Sequence, residues 1–325
     1  MVCLLLSGGM GLGAAIWTPL WARAVGFAVL QVPSRDGPAI PVAVWYPSDG
    51  RPRPTSVGLF RQSVVAGGRP VGRDLPLVTI SHGTGGNFAG HSDTALALAQ
   101  AGFVVAAPTY LGDNVRDQSR VLDPAWRVRQ LEIVTDYMIT AWYPGTVDPG
   151  RIGAFGFSAG GLTALIAAGG TPDLRRVAPH CRAHPAFFVC RLVQDHHAPP
   201  GQAAFPWDRR IRAIVVAAPA LGFAFTPEGL RRVTMPVQLW QANDDRVLPP
   251  DYYAAAVRRA LPRPPEFHAV ANAGHFDFLA PCSASLARIV PSICASAPDF
   301  DRVAFHHAFN AAVTAFFVDH LGSRR

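Results

Sequence analysis

The sequence contains no lysine, and all 29 of its basic residues are arginine. It also has no C-x-x-C pair, no Gly-Lys-Ser/Thr phosphate loop, no internal repeat and no heptad run. Zinc-ribbon, P-loop and coiled-coil architectures are thereby excluded. Charged residues make up only 16% of the 325, against 50% hydrophobic, so a mainly disordered chain is excluded as well. The net charge is +7, but the arginines are spread singly or in pairs such as Arg175-Arg176, Arg209-Arg210 and Arg231-Arg232. A nucleic-acid binder concentrates its basic charge on one helix or stripe, so nucleic acid is not an expected partner. Glycine and proline are abundant, at 30 each, yet follow no triplet period. They predict many turns and several long loops, not collagen.

Charge is also missing from the first 22 residues, which include Cys3-Leu4-Leu5-Leu6 and run into the small-x-small pattern Ala22-Arg23-Ala24. Residues 1–24 therefore read as a secretory signal peptide, with cleavage after Ala24 leaving an exported, periplasmic or secreted protein. The alternatives are a retained membrane anchor over residues 1–22 and an N-terminal arm of a cytosolic protein. After cleavage four cysteines remain: Cys181, Cys190, Cys282 and Cys294. Three pairings exist. The local one, Cys181–Cys190 and Cys282–Cys294, is expected because each pair closes a short, proline-containing loop. A metal site is the alternative, since His180 and His184 flank Cys181.

The body of the chain alternates apolar runs of strand length with helical stretches. Residues 25–32 and 40–46 predict an antiparallel hairpin at one edge of a sheet. Residues 47–74 read as a loop. Buried strands are expected at 75–81, 103–107, 151–157, 211–217, 236–241 and 266–270, and helices at 92–101, 124–142, 159–168, 250–260 and 304–321. Asp123-Pro124 has the chemistry of a helix start: an N-cap acceptor, then proline at the first helical position. Residues 170–210 break the pattern and read as an insertion or lid. With no linker to divide it, the chain predicts a single α/β domain over 25–325. A mostly parallel sheet is covered by helices on both faces.

Three segments carry chemistry. Gly156-Phe157-Ser158-Ala159-Gly160 stands where a buried strand turns directly into a helix. Such a turn exposes the serine Oγ, and the helix N-terminus beside it favours negative charge. A serine nucleophile needs a base and a group to orient that base. Gly274-His275 follows the last predicted strand, and Asn243-Asp244-Asp245-Arg246-Val247 follows the one before it. The set Ser158, Asp245, His275 has the required chain order, with Asp244 as the alternative acid. Both partners follow strands, at the carboxyl edge where open α/β sheets place their sites. The turn Ser81-His82-Gly83-Thr84-Gly85-Gly86 supplies backbone N–H groups, and Thr84 with Ala159 is the expected oxyanion-binding pair. His82 is expected to brace that turn, and Asp277 to anchor a loop. The pairs His196-His197 and His306-His307 read as surface or helix positions without a role.

The stretches SHGTGG, GFVVAAPTY, GFSAGG, NDDRVLP and AGHFDFLAPCS resemble the α/β-hydrolase superfamily over nearly the whole mature length. More narrowly, they resemble its bacterial branch labelled predicted dienelactone hydrolase, related to platelet-activating-factor acetylhydrolases. The resemblance implies a Ser–Asp–His esterase without metal or organic cofactor, acting on a small-molecule ester. It implies Ser158 as nucleophile, His275 as base, Asp245 as orienting acid, and Thr84 and Ala159 as oxyanion donors. True dienelactone hydrolases carry cysteine at the nucleophile position. Serine there implies a serine carboxylesterase for short-acyl or small esters. An amidase, peptidase or polyester depolymerase on the same machinery stays open at this stage, as does a non-catalytic binding protein.

Overall fold

The computed structural model describes residues 24–35, 37–196 and 204–322. The leader expectation, apart from Ala24, lies outside them, as does His197. Among the described residues ten strands are formed: β1 Ala24–Val32, β2 Ile40–Ser48, β3 Arg53–Val57, β4 Phe60–Ala66, β5 Leu75–Ser81, β6 Val104–Pro108, β7 Val147–Phe157, β8 Ile211–Ala217, β9 Val237–Ala242 and β10 Glu266–Val270. The helices are α1 Ser92–Gln100, α2 Pro124–Thr140, α3 Ala159–Ala167, α4 Val177–Ala183, α5 Phe188–His196, α6 Pro227–Leu230, α7 Ala254–Ala260, α8 Ala284–Ile289, α9 Pro291–Cys294 and α10 Arg302–Leu321.

The strand order is β10-β9-β8-β7-β5-β6-β2-β1-β4-β3. From β10 to β6 every neighbour is parallel. The central strands are apolar at successive positions because both faces are covered. In β8, Ile214 and Val216 face one core, and Val215 and Ala217 face the other. The first core is closed by α2 and α3 through Val128, Leu131 and Leu165. The second is closed by α1 and α10 through Leu98, Phe309 and Phe317.

Two expectations are corrected. Residues 47–74 are not one loop: β3 and β4 form an antiparallel hairpin within them. Its strands carry Arg53, Pro54, Ser56, Arg61 and Ser63 toward solvent and bury only Val57 and Val64, so hydropathy alone hides them. The β1–β2 hairpin is also not at an edge, because β4 pairs with β1 on its outer side. The 170–210 insertion contains α4 and α5, joined by a Cys181–Cys190 disulfide. The second disulfide, Cys282–Cys294, spans α8 and the end of α9. With its sulfur bonded, Cys181 is not available as a metal ligand. Among the described residues no helix is long and apolar enough to cross a membrane.

Candidate active site

Ser158 sits between β7 and α3 with φ 57° and ψ −119°, a backbone conformation that L-residues rarely hold. The surroundings enforce it. A Cβ at Gly156 would lie 2.1 Å from the carbonyl oxygen of Gly160, and one at Gly160 would lie 1.8 Å from that of Ser81. Only glycine lets strand, turn and helix approach this closely. The Ser158 N–H donates to the Ala217 carbonyl of β8, which ties the turn to the sheet.

Asp245 lies on the loop after β9. Its Oδ1 accepts from the N–H of Val247 (2.9 Å) and Leu248 (2.7 Å), so the D-x-V segment folds around the carboxylate. Its Oδ2 is 2.7 Å from His275 Nδ1, and His275 Nε2 is 3.0 Å from Ser158 Oγ. All three side chains are buried. With Nδ1 against a carboxylate, a neutral ring carries its proton there and offers the Nε2 lone pair to the serine. Asp244 is exposed; its N–H donates to the Ala273 carbonyl and joins the two post-strand loops.

The His275 loop has its own support. The Gly274 N–H donates to Asp277 Oδ2 (2.7 Å), while Arg302 Nε and Ser296 Oγ donate to Oδ1. The Arg302 guanidinium also donates to the carbonyls of Ile293 and Ala295, beside Cys294. His306 stands on α10, the helix position among the two expected for it. It is buried, with Nδ1 2.6 Å from Asp93 Oδ2 and Nε2 2.9 Å from the Asp277 carbonyl.

The 82–86 turn is braced from beneath. His82 Nδ1–H donates to the Gly83 carbonyl, and Nε2 accepts from the Tyr110 N–H. Burial first, and then the nearby Arg127 charge, hold the His82 pKa well below the usual value, so the ring stays neutral. Arg127 donates to the His82 carbonyl, to Asp113 Oδ2 and to Thr163 Oγ1. Asp113 Oδ1 in turn accepts from the Gly85 N–H at 2.7 Å. Thr163 stands on α3, the helix that follows Ser158, and donates to the Ala159 carbonyl. The Asp113–Arg127 pair thus joins the glycine-rich turn to α3.

Sequence reasoning missed both members of that pair. The available signal was an arginine within the apolar stripe 127-131-134-138 of α2. Ser158, Ala159 and Thr84 line one cavity of about 300 Å3.

A mostly parallel twisted sheet, a strained serine at a strand–helix turn and two post-strand loops meeting at that serine describe one architecture. The chain has the α/β-hydrolase fold. Residues 64–198 match the dienelactone hydrolase family. That stretch holds the 82–86 turn, Arg127 and Ser158, while Asp245 and His275 follow it. No curated protein matches the chain in sequence. Among solved structures, a ferulic acid esterase from Streptomyces cinnamoneus is similar with a TM-score of 0.63 and 22% identity, over 93% of this chain and 91% of that one. A dienelactone hydrolase from Anabaena variabilis is similar with a TM-score of 0.55 and 14% identity, over 92% of this chain and 100% of that one. At these identities the two structures speak for the hydrolase fold.

Proposed function

We propose that this hydrolase cleaves carboxylic esters through a covalent acyl-enzyme on Ser158. The observation that carries the reading is the buried line from Asp245 Oδ2 through His275 to Ser158 Oγ, ending at the apolar cavity. In the first step Ser158 Oγ attacks the ester carbonyl carbon, and its proton passes to His275 Nε2. Asp245 stabilises the imidazolium so formed. The tetrahedral oxyanion is held by the N–H groups of Thr84 and Ala159, each donor worth about 3 kcal/mol in the transition state. Collapse expels the alkoxide, which takes the proton from His275. Water, deprotonated by the same ring, then attacks the acyl carbonyl and frees Ser158.

The match to a hydrolase family and the likeness to an esterase support ester substrates. From sequence, a short-acyl or otherwise small ester is the narrower expectation. The cavity favours small esters over an insoluble polyester, because α4 and α5 wall one side of it. Two disulfides fit an oxidising compartment, and the leader-like residues 1–24 support export as a single hydrolase domain with an inserted lid.

The test is Ser158→Ala with p-nitrophenyl acetate and a fluorophosphonate probe. The expected result is loss of kcat by at least about 10^4-fold with retained fold, and probe labelling of the parent at Ser158 only. Unchanged turnover in the variant overturns the mechanism. A folded parent that neither hydrolyses esters nor takes the probe is a binding protein instead.

A further inference from the structure

The walls of the cavity beside Ser158 divide into two halves. One half belongs to the insertion: Val177 of α4, and Phe188, Val189, Leu192 and Val193 of α5. The other comes from loops of the frame, through Leu122, Leu221 and Leu248. Ser158, Thr84 and Ala159 stand on the same lining, so the reacting carbonyl and the apolar space are contiguous. Two charged side chains reach the lining, and both are already paired. Arg127 binds Asp113, and Arg175 binds Asp173 through Nε and Nη2. The Cys181–Cys190 bridge ties α4 to α5 and fixes the two helices of the insertion wall to each other.

We infer that this cavity receives one apolar arm of the ester, either the acyl chain or the alkoxy chain. The inference rests on the acyl-enzyme reading above and revises its short-acyl expectation upward. The size follows from volume. A cavity of about 150 Å3 holds benzene, so one twice as large takes a chain of about six to ten carbons or a fused ring pair. An acetyl group leaves most of that apolar surface unfilled. Each methylene that enters raises kcat/KM by up to about fourfold, until the cavity is full.

The test is the chain-length profile of kcat/KM in two series: p-nitrophenyl esters from acetate to dodecanoate, and alkyl acetates from methyl to octyl. The parent is compared with Val193→Trp and Ala178→Trp, which fill the cavity from α5 and α4. In the parent, one series is expected to rise to an optimum at hexanoate to decanoate, or at hexyl to octyl; the series that rises names the arm. Each tryptophan is expected to lower the ratio of kcat/KM at the parent's optimum to kcat/KM for p-nitrophenyl acetate by about tenfold or more, with circular dichroism and the thermal midpoint reporting an intact fold. Rates falling steadily from acetate and methyl in the parent overturn the inference. So does a profile that both active variants leave unchanged. A parent inactive on every ester overturns the acyl-enzyme reading itself.

Discussion

Arg127 and Arg302 are both buried, and each pairs with an aspartate beneath one of the loops that meet at Ser158. They are anchored differently. Arg127 projects from the 17-residue α2 and joins the 82–86 turn to Thr163 of α3, so it connects one loop to two regular elements of the frame. Arg302 is the first residue of α10 and gathers the carbonyls of Ile293, in the short helix α9, and Ala295 just after it, beside the Cys282–Cys294 bridge that closes α8 and α9. The Thr84 side of the site is held by helices packed on the sheet. The His275 side is held by two short helices, α8 and α9, with a covalent clasp. The same chemical device therefore has unequal backing, and the His275 side is expected to open first on local unfolding.

The largest effect tests the firmer side. Arg127→Met leaves Asp113 buried without its cation, and a loss of about 3–5 kcal/mol is expected in urea unfolding. An unchanged midpoint would show that the pair does not join the turn to α3.

Opening the clasp comes next. Cys282→Ser with Cys294→Ser is expected to cost up to about 3 kcal/mol, mainly by freeing the unfolded chain. Hydrogen exchange should rise at residues 274–278 and stay unchanged at 82–86. Equal deprotection of both loops would erase the contrast.

Acid tests a feature common to both sides, a buried neutral histidine. Burial, opposed by the nearby Asp93 charge, holds the His91 pKa down to about 4, its ring packed edge-on to Phe155 and Phe157. Between that value and the ordinary 6.5 the unfolded chain binds a proton that the folded chain does not. Stability is therefore full above about pH 6.5 and falls as the pH drops toward 4, by about 2 kcal/mol at pH 5 from His91 alone. His82, also depressed, adds to the loss in the same direction. A thermal midpoint that is flat from pH 7 to 5, or a slope unaltered in His91→Phe, contradicts this.

The smallest effect isolates the helix that carries Arg127. Asp123 Oδ1 accepts from the Trp126 N–H at 3.0 Å as the N-cap of α2. Asp123→Ala is expected to cost about 1 kcal/mol by chemical denaturation, with unaltered esterase kinetics. A fall in kcat would mean that the first turn of α2 also positions the 82–86 turn.

Several elements were plain in the chain. β5, β8 and β10 coincide with their apolar runs at 75–81, 211–217 and 266–270, and α2 begins at the Pro124 that follows its cap. The β3–β4 hairpin was hidden because its strands are polar and one contains a proline. Arg127 and Asp113 were hidden because a charged residue reads as solvated until the elements around it close. His306 was expected at a surface or helix position and stands on α10, but its partners, Asp93 and the Asp277 carbonyl, come from two other segments that no local pattern brings to it.

The alternation of strands and helices and the serine turn were legible along the chain. Both depend on local patterns: hydropathy period, cap chemistry, and glycines where no Cβ fits. Folding alone brings Asp245 and not Asp244 to His275, sets two arginines beneath the site within the core, and walls the cavity with α4 and α5. These are contacts between segments far apart in the chain. Adjacent aspartates have the same composition and nearly the same position. What separates them is the direction in which a folded loop points each carboxylate.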